Sequence, residues 1–401
     1  MTEISDFGEI VLVVAAGFSL ALFGRAITER LAIPGAALFL VAAAAASDLI
    51  PRLHEAISVV TVERIGVVAL VVILFDGGLD IGWRRFRAAA VPILSLGVLG
   101  TFATAGLVAV AAHVLLGLSW TTSGLLGAAL APTDPAVTFS VLGGREIAGR
   151  TGTILKGESG ANDPVGIALM IGMIELATTD GGSIWTVLRE FAVEMAGGTL
   201  VGIAGAALLV PLVRRVPLPS PALYPLRMLA AAGVIYGAAT LVHGSGFLAV
   251  FVAGILVGDA RLPHRAATDG VLSSLGSLAE ITMFVALGIT IDLSELFEGD
   301  AWFEGLALAA LLAFAIRPLV VGGLLLPVRL DRGERLFVMW SGLKGAVPIL
   351  LAALALIGGV DDGSEIYGIV FVVVLFSVLV QGTLVPAVAA RLGVPMERSG
   401  L

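Results

Sequence analysis

The chain has 401 residues, of which 58% are hydrophobic and only 13% carry a charge at neutral pH. Soluble domains contain about 45–50% apolar and about 25% charged residues, so this composition excludes a soluble enzyme and indicates a membrane protein. The formal net charge is −8, and the sequence has no basic patch of the kind that nucleic-acid binding requires. Cysteine is absent, which excludes disulfides, thiolate nucleophiles and zinc–cysteine sites.

Apolar windows predict thirteen transmembrane helices, because each helix needs about 20 apolar residues to cross the hydrocarbon core. The predicted spans 1 to 13 lie near residues 9–27, 31–47, 58–80, 88–113, 121–142, 157–178, 185–210, 222–242, 246–258, 271–291, 303–327, 336–358 and 365–390. The ninth window is short and the second is rich in alanine. The expected fold class is an all-α polytopic membrane protein. We expect one transmembrane domain over residues 1–401 and no soluble regulatory domain.

Basic residues cluster after the odd-numbered spans, and this pattern predicts the orientation of the chain. Seventeen of the 23 lysine and arginine residues follow odd spans, whereas the opposite loops carry mainly aspartate and glutamate. Because positive residues remain on the cytoplasmic side, we expect the N-terminus outside and the C-terminus in the cytoplasm. The expected location is the inner or plasma membrane. The acidic first ten residues do not resemble a cleaved signal peptide.

Several ionisable residues fall inside predicted spans, and seven of them lie at membrane depth, where a charge is costly and points to a function. At ~1.5 Å per residue, most of them lie about 10–18 Å from the cytoplasmic basic residues. Helices of both directions contribute to this layer, which is typical of a binding site. The seven residues are Asp76, Asp134, Glu158, Asp163, Glu280, Arg317 and Lys344.

Two spans contain sequences that interrupt a helix. Residues 131–135 of span 5 read APTDP, and residues 342–348 of span 12 read GLKGAVP. Proline and glycine disfavour a continuous helix at these places. The two spans are seven apart, so they run in opposite directions. Paired breaks of this kind are typical of an inverted repeat, with spans 1–6 matching spans 8–13, span 7 connecting them, and the discontinuous helices 5 and 12 crossing.

Four motifs together carry a family resemblance. They are LFDGGL at 74–79, APTDPA at 131–136, GESGANDPVGIAL at 157–169 and GLKGAVPILLA at 342–352. In this order they resemble the monovalent cation/proton antiporters of the NhaP and sodium/proton exchanger type. The third motif resembles that family's Asn-Asp helix and its wording is similar to the bacterial potassium/proton branch. The family more often has arginine where this chain has Lys344.

Asp163, in the third motif, is the expected exchanging carboxylate. Removal from water disfavours the ionised form of a lone acid, so this group would hold either a proton or a cation. Competition for one site would then couple the two movements. Alkali cations prefer oxygen ligands. The resemblance implies further oxygen donors at Asp134, Thr133, Ser159 and Asp76, with Asp163 and Asp134 as carboxylate ligands of the alkali cation. Asn162 is also an expected cation- and proton-binding residue.

Asn162 is neutral where the electrogenic relatives carry a second aspartate, so the resemblance implies electroneutral exchange of one proton per cation. The substrates would be Na⁺ or K⁺, or Li⁺, and no cofactor is expected. The resemblance also implies alternating access in a homodimer. A scaffold and dimer part would comprise about 9–80 and 222–291. The transport core would comprise about 88–178 and 303–390, with a connector helix at about 185–210.

The buried cations require partners, because an unpaired buried charge is strongly unfavourable. We expect Glu158 to pair with Arg317 or Lys344 and so to join the two repeats. Lys344 has two other candidate roles. It could neutralise Asp134, or it could balance the negative C-terminal ends of the half-helices.

Other functions are less consistent with the sequence. A cation channel would need a selectivity filter, and a lysine in the cation path argues against one. An anion or solute symporter on a related inverted-repeat fold would not need several buried carboxylates. An intramembrane enzyme would need a catalytic motif, and neither a His-Glu-x-x-His nor a Gly-x-Ser-x-Gly motif is present in the sequence.

Overall fold

The computed structural model describes residue 19 and residues 34–50, 57–142, 145–179 and 183–398. The predicted span 1 (9–27) therefore lies outside the described residues apart from residue 19. The helices are α1 (Gly35–Leu49), α2 (Val59–Ala88), α3 (Ala90–Leu116), α4 (Trp120–Leu130), α5 (Pro135–Ser140), α6 (Gly149–Thr178), α7 (Ile184–Arg215), α8 (Leu223–Leu241), α9 (Gly246–Gly258), α10 (Arg265–Ile289), α11 (Leu293–Glu298), α12 (Ala301–Leu324), α13 (Arg332–Trp340), α14 (Ala346–Ile357) and α15 (Gly363–Leu392).

Five of the described helices, α3, α7, α10, α12 and α15, are long and apolar enough to cross a membrane. The shorter helices α1, α9 and α14 are also apolar. Three of the long helices contain a stretch of π-helix, at Ser95–Gly100 in α3, Leu312–Ile316 in α12 and Ser377–Gly382 in α15. With helices of this length and composition, the chain is a multi-pass membrane protein.

Serine residues begin four of the helices. The side chains of Ser58, Ser119, Ser183 and Ser245 each accept a hydrogen bond from the main-chain N–H three residues later. A cap of this kind satisfies one of the free N–H groups at a helix start and contributes about 1 kcal/mol. The four capped helices α2, α4, α7 and α9 correspond to predicted spans 3, 5, 7 and 9.

Helices α2 and α9 approach so closely that glycine is required between them. A Cβ atom at residue 78 would lie 2.6 Å from the carbonyl oxygen of Phe251, and one at residue 254 would lie 2.6 Å from that of Phe75. Helix α10 packs against α1 and α2, so α1, α2, α9 and α10 form one group. A second group contains α4, α6, α14 and α15, in which α14 contacts the other three.

Predicted spans 5 and 12 each consist of two helices with an extended segment between them. Helix α4 ends at Leu130 and α5 begins at Pro135, and α13 ends at Trp340 and α14 begins at Ala346. The two segments touch, since the Asp134 N–H donates a hydrogen bond to the Leu343 carbonyl oxygen at 2.8 Å.

A short antiparallel ribbon lies outside the helices. Strand β1 (Arg145–Ile147) pairs with β2 (Met396–Arg398), with Glu146 opposite Glu397. The sequence analysis did not predict it, because strands of three residues are too short to produce an alternating apolar pattern. The ribbon joins the segment before α6 to the segment after α15.

The close contact of α2 and α9 gives a first testable prediction. In Gly254→Ala, the new methyl group meets the α2 backbone, and overpacking of this kind costs about 1–3 kcal/mol. We expect a lower melting temperature of the purified protein in detergent. Gly233→Ala is the matched control, because a Cβ atom there has nothing within 4 Å. Equal melting temperatures for the two variants would contradict the packing described here.

Candidate functional site

Asp163 is a buried carboxylate with an unpartnered oxygen. Its residue is 6% exposed, and its Oδ1 atom makes no hydrogen bond to any described residue. The charged groups of Asp134 and Lys344 act on it, the first by repulsion and the second by attraction. Pro164 follows within the same helix and has no N–H, so the carbonyl group of Gly160 lacks its usual helical donor. Asp163 Oδ1 is thus available to a ligand.

Thr133, in the segment between α4 and α5, is held by α6 through each of its polar groups. Asn162 Nδ2 donates to Thr133 Oγ1 at 2.8 Å, and the Thr133 N–H donates to Asn162 Oδ1 at 3.4 Å. Ser159 Oγ donates to the Thr133 carbonyl oxygen at 2.6 Å. All three residues are buried. These bonds hold the extended segment against α6, and both ends of the Asn162 amide take part in them.

Asp134 caps α5 and contacts the other break. Its Oδ1 accepts a hydrogen bond from the Ala136 N–H at 2.8 Å. Gly345 packs directly against its carboxylate, where a Cβ atom at residue 345 would overlap with Oδ2. Only glycine therefore allows the second segment to approach this side chain.

Lys344 donates hydrogen bonds to main-chain carbonyl groups at the C-terminal end of α4. It is 1% exposed, and its Nζ donates to the carbonyl oxygens of Ala131 and Pro132 at 3.0 and 2.8 Å. Its main-chain N–H donates to Ser377 Oγ at 2.8 Å. The carbonyl end of a helix carries partial negative charge. Of the candidate roles, the structure therefore supports the balancing of a helix end. The ion pairs of the described residues do not include Lys344, so its expected place among the core ion pairs is not observed.

Glu158 and Arg317 form a buried two-point ion pair. Arg317 Nη1 lies 2.8 Å from Glu158 Oε1, and Nη2 lies 3.2 Å from Oε2. Nη2 also donates to the Val338 carbonyl oxygen at 3.1 Å. The pair joins α6 to α12 and α13, and of the two partners left open for Glu158 it identifies Arg317. Gly342 packs against the guanidinium group, where a Cβ atom would overlap with it.

Asp76 is not hydrogen-bonded to this cluster among the described residues. Asp76 lies on α2, partly buried, and no hydrogen bond between described residues joins it to Thr133, Ser159 or Asn162. The charged groups that act on it are Asp80, Asp269 and Lys156. The expected part of Asp76 in the cation site stays a prediction.

The sequence did not identify two kinds of buried polar group. Ser377 and Gln381 are buried polar residues in the π-helical stretch of α15. Their signal was two hydrogen-bonding side chains four positions from each other in an otherwise apolar run, FSVLVQG. The carbonyl oxygens of Ala131 and Pro132 had no signal, because every residue carries one.

The ion pair gives a second testable prediction. In Gly342→Ala the methyl group displaces the Arg317 side chain and separates it from Glu158. Breaking a buried pair costs about 3–5 kcal/mol, so the melting temperature in detergent should fall clearly. Gly323→Ala on α12, where a Cβ atom meets nothing within 4 Å, should leave it unchanged. A Gly342→Ala protein as stable as the wild type would show that the pair does not depend on this contact.

Comparison with known proteins places the chain in a family. Residues 4–391 match the model of the transmembrane sodium/hydrogen exchangers. The chain is 36% identical over 397 residues to the K⁺/H⁺ antiporter NhaP of Alkalimonas amylolytica, covering 96% of this chain and 68% of that protein. It is 36% identical over 344 residues to the K⁺/H⁺ antiporter NhaP2 of Shewanella sp. strain ANA-3, covering 83% and 59%. The chain thus spans about three fifths to two thirds of the length of these relatives.

The fold is that of a solved antiporter. The chain superimposes on the sodium proton antiporter MjNhaP1 from Methanocaldococcus jannaschii with a TM-score of 0.80 at 22% identity, covering 95% of this chain and 98% of that one. The family resemblance of the four motifs is therefore confirmed. The chain belongs to the family of transmembrane sodium/hydrogen exchangers.

Proposed function

We propose that this protein is a secondary transporter that exchanges a monovalent alkali cation, Na⁺, K⁺ or Li⁺, for H⁺. The observation that carries the proposal is the Asp163 carboxylate, which is buried and has an oxygen without a partner among the described residues. The relatives named above as K⁺/H⁺ and Na⁺/H⁺ antiporters support the same activity.

Competition for Asp163 provides the coupling. A carboxyl group removed from water is stable when it holds a proton or when a cation lies against it, and unstable when it holds neither. Two ligands that exclude each other at one site are exchanged whenever that site is exposed alternately to the two sides of the membrane. Asp134 is the second carboxylate ligand in this proposal, and the Thr133 segment, held by Ser159 and Asn162, keeps the oxygen atoms in place.

One proton per cation is the proposed stoichiometry. Asn162 carries no titrating proton, and its amide is bonded to Thr133 through both its nitrogen and its oxygen. Lys344 is hydrogen-bonded to main-chain carbonyl groups, which keeps its ammonium group at the helix end. Asp163 then remains as the group that changes its ligand, and the exchange moves no net charge.

The proposed architecture has thirteen spans in an inverted repeat with crossing discontinuous helices 5 and 12. The paired breaks support it, because α5 and α14 each restart a helix directly after a buried extended segment. The π-helical stretches of α3 and α12 also fall in spans 4 and 11, which the repeat would relate to each other.

Helix packing supports the proposed division into scaffold and core. The group α1, α2, α9 and α10 belongs to the scaffold and dimer part, about 9–80 and 222–291. The group α4, α6, α14 and α15 belongs to the transport core, about 88–178 and 303–390. Helix α7, at about 185–210, would connect the two repeats. The homodimer, the cell-membrane location and the cytoplasmic C-terminus are parts of the same proposal, and the distribution of basic residues supports the orientation.

Replacement of Asp163 is the experiment that tests this function. In Asp163→Asn, the site can no longer release a proton or attract a cation, so exchange should fall at least about 100-fold. The measurement is dissipation of an imposed pH gradient in proteoliposomes on addition of Na⁺, K⁺ or Li⁺. Asp300→Asn is the matched control, since Asp300 is exposed and makes no side-chain cap to its helix.

Size-exclusion chromatography of each variant keeps loss of folding distinct from loss of function. Wild-type exchange by a folded Asp163→Asn protein would overturn the proposal. The same assay with the membrane voltage clamped tests the stoichiometry. A rate that changes with voltage would contradict one-for-one exchange.

A further inference from the structure

Lys156 differs from the other lysine of the chain in being partly exposed to solvent. The sequence contains only two lysines, and the other, Lys344, is buried. Lys156 lies near the start of α6, and 22% of its side chain is exposed. Part of this side chain is therefore open to solvent.

This ammonium group is bound as a small cation would be. Its Nζ atom lies 2.6 Å from Asp80 Oδ2 and 3.2 Å from Glu146 Oε2. It also lies over the ring of Phe139, 5.0 Å from the centroid, where the face of an aromatic ring attracts a positive charge. Arg85 is the other cation beside Asp80, with Nη2 at 3.7 Å from Oδ1.

The position of Lys156 places it in line with the candidate exchange site. Residues 156, 159 and 163 follow the spacing of one helix face, and Lys156 precedes Asp163 by seven residues, which is about 10.5 Å along the axis. On α2, Asp76 and Asp80 are four residues apart and share a face in the same way. Asp76 interacts electrostatically with both Asp80 and Lys156, and α2 packs against α6. Charged side chains thus extend from the end of α6 towards Asp163.

The two acidic partners of Lys156 are accessible to solvent. Asp80 and Glu146 have side chains that are 46% and 48% exposed, and exposed pairs contribute little to stability. An ammonium group and an alkali cation carry the same single charge and bind the same carboxylate oxygens. A cation that arrives from solvent can therefore replace the lysine at these two acids.

We propose that Lys156 competes with the transported cation for Asp80 and Glu146 at the cytoplasmic entrance to the site. This inference rests on the proposed function and orientation. Lys156 is a positioning residue: it withholds two carboxylates until the cation concentration in the cytoplasm is high enough to displace it. It thereby raises the cytoplasmic KM without entering the exchange step at Asp163.

Chemical labelling of the lysine tests the competition directly. An amine-reactive acylating reagent is added to the purified wild-type protein in KCl, in NaCl or in tetramethylammonium chloride at equal ionic strength, and modification of Lys156 is quantified by peptide mass spectrometry. Because Lys344 is buried, the label reports on one side chain. We expect at least threefold more labelling in the alkali salts, with saturation. Equal labelling in all three salts would overturn the proposal.

Transport kinetics test the consequence. In oriented proteoliposomes, Lys156→Gln should lower the cytoplasmic KM for the cation about three- to tenfold, with similar maximal rate and external KM. Lys156→Arg should resemble the wild type. Arg150→Gln is the matched control, because it removes an exposed charge from the same end of α6. An unchanged cytoplasmic KM in Lys156→Gln, or an equal decrease in Arg150→Gln, would contradict a specific role.

Failure of this inference and failure of the proposed function give different results. If the wild-type protein exchanges cations for protons but Lys156 is labelled equally in all three salts, only the proposed competition by Lys156 is overturned. If the wild-type protein shows no exchange with any alkali cation, the proposed function is wrong, whatever the labelling shows.

Discussion

Two helices of this protein stop in its buried interior, and the main-chain groups left there must find partners in the protein itself. In an apolar surrounding each unsatisfied carbonyl or N–H group costs several kcal/mol. The ammonium group of Lys344 is one such partner, because it donates hydrogen bonds to the carbonyl oxygens of Ala131 and Pro132. The Asp134 N–H provides a second link, to the Leu343 carbonyl oxygen. The two breaks therefore stabilise each other, and neither would be tolerated alone.

The candidate site depends on this contact. Once the first extended segment is held against the second, Thr133 is available to α6, where Ser159 and Asn162 bind it. Asp163, one residue beyond Asn162, then lies buried, and its Oδ1 has no hydrogen-bond partner among the described residues. In the proposed exchange, its strength as a proton or cation ligand comes from this burial.

The sequence predicted the parts of the site that have unusual chemistry and missed those that do not. Buried acids and cations, and proline or glycine within apolar runs, are visible without coordinates, so 131–135, 342–348 and Asp163 were identified. The sequence left two candidate partners for Glu158, because Arg317 and Lys344 were expected at the same depth in the membrane. The hydrogen-bond acceptors of Lys344 were not predictable, since every residue has a main-chain carbonyl group whatever its type. The ribbon of β1 and β2 was too short to recognise.

If a proton and a cation exclude each other at Asp163, binding of the cation must release a proton. The purified protein in detergent and weak buffer is titrated with the alkali cation that it transports best, while the released protons are measured. We expect one proton per bound cation in the wild-type protein and none in Asp163→Asn. Cation binding without proton release, or equal release by the two proteins, would contradict it.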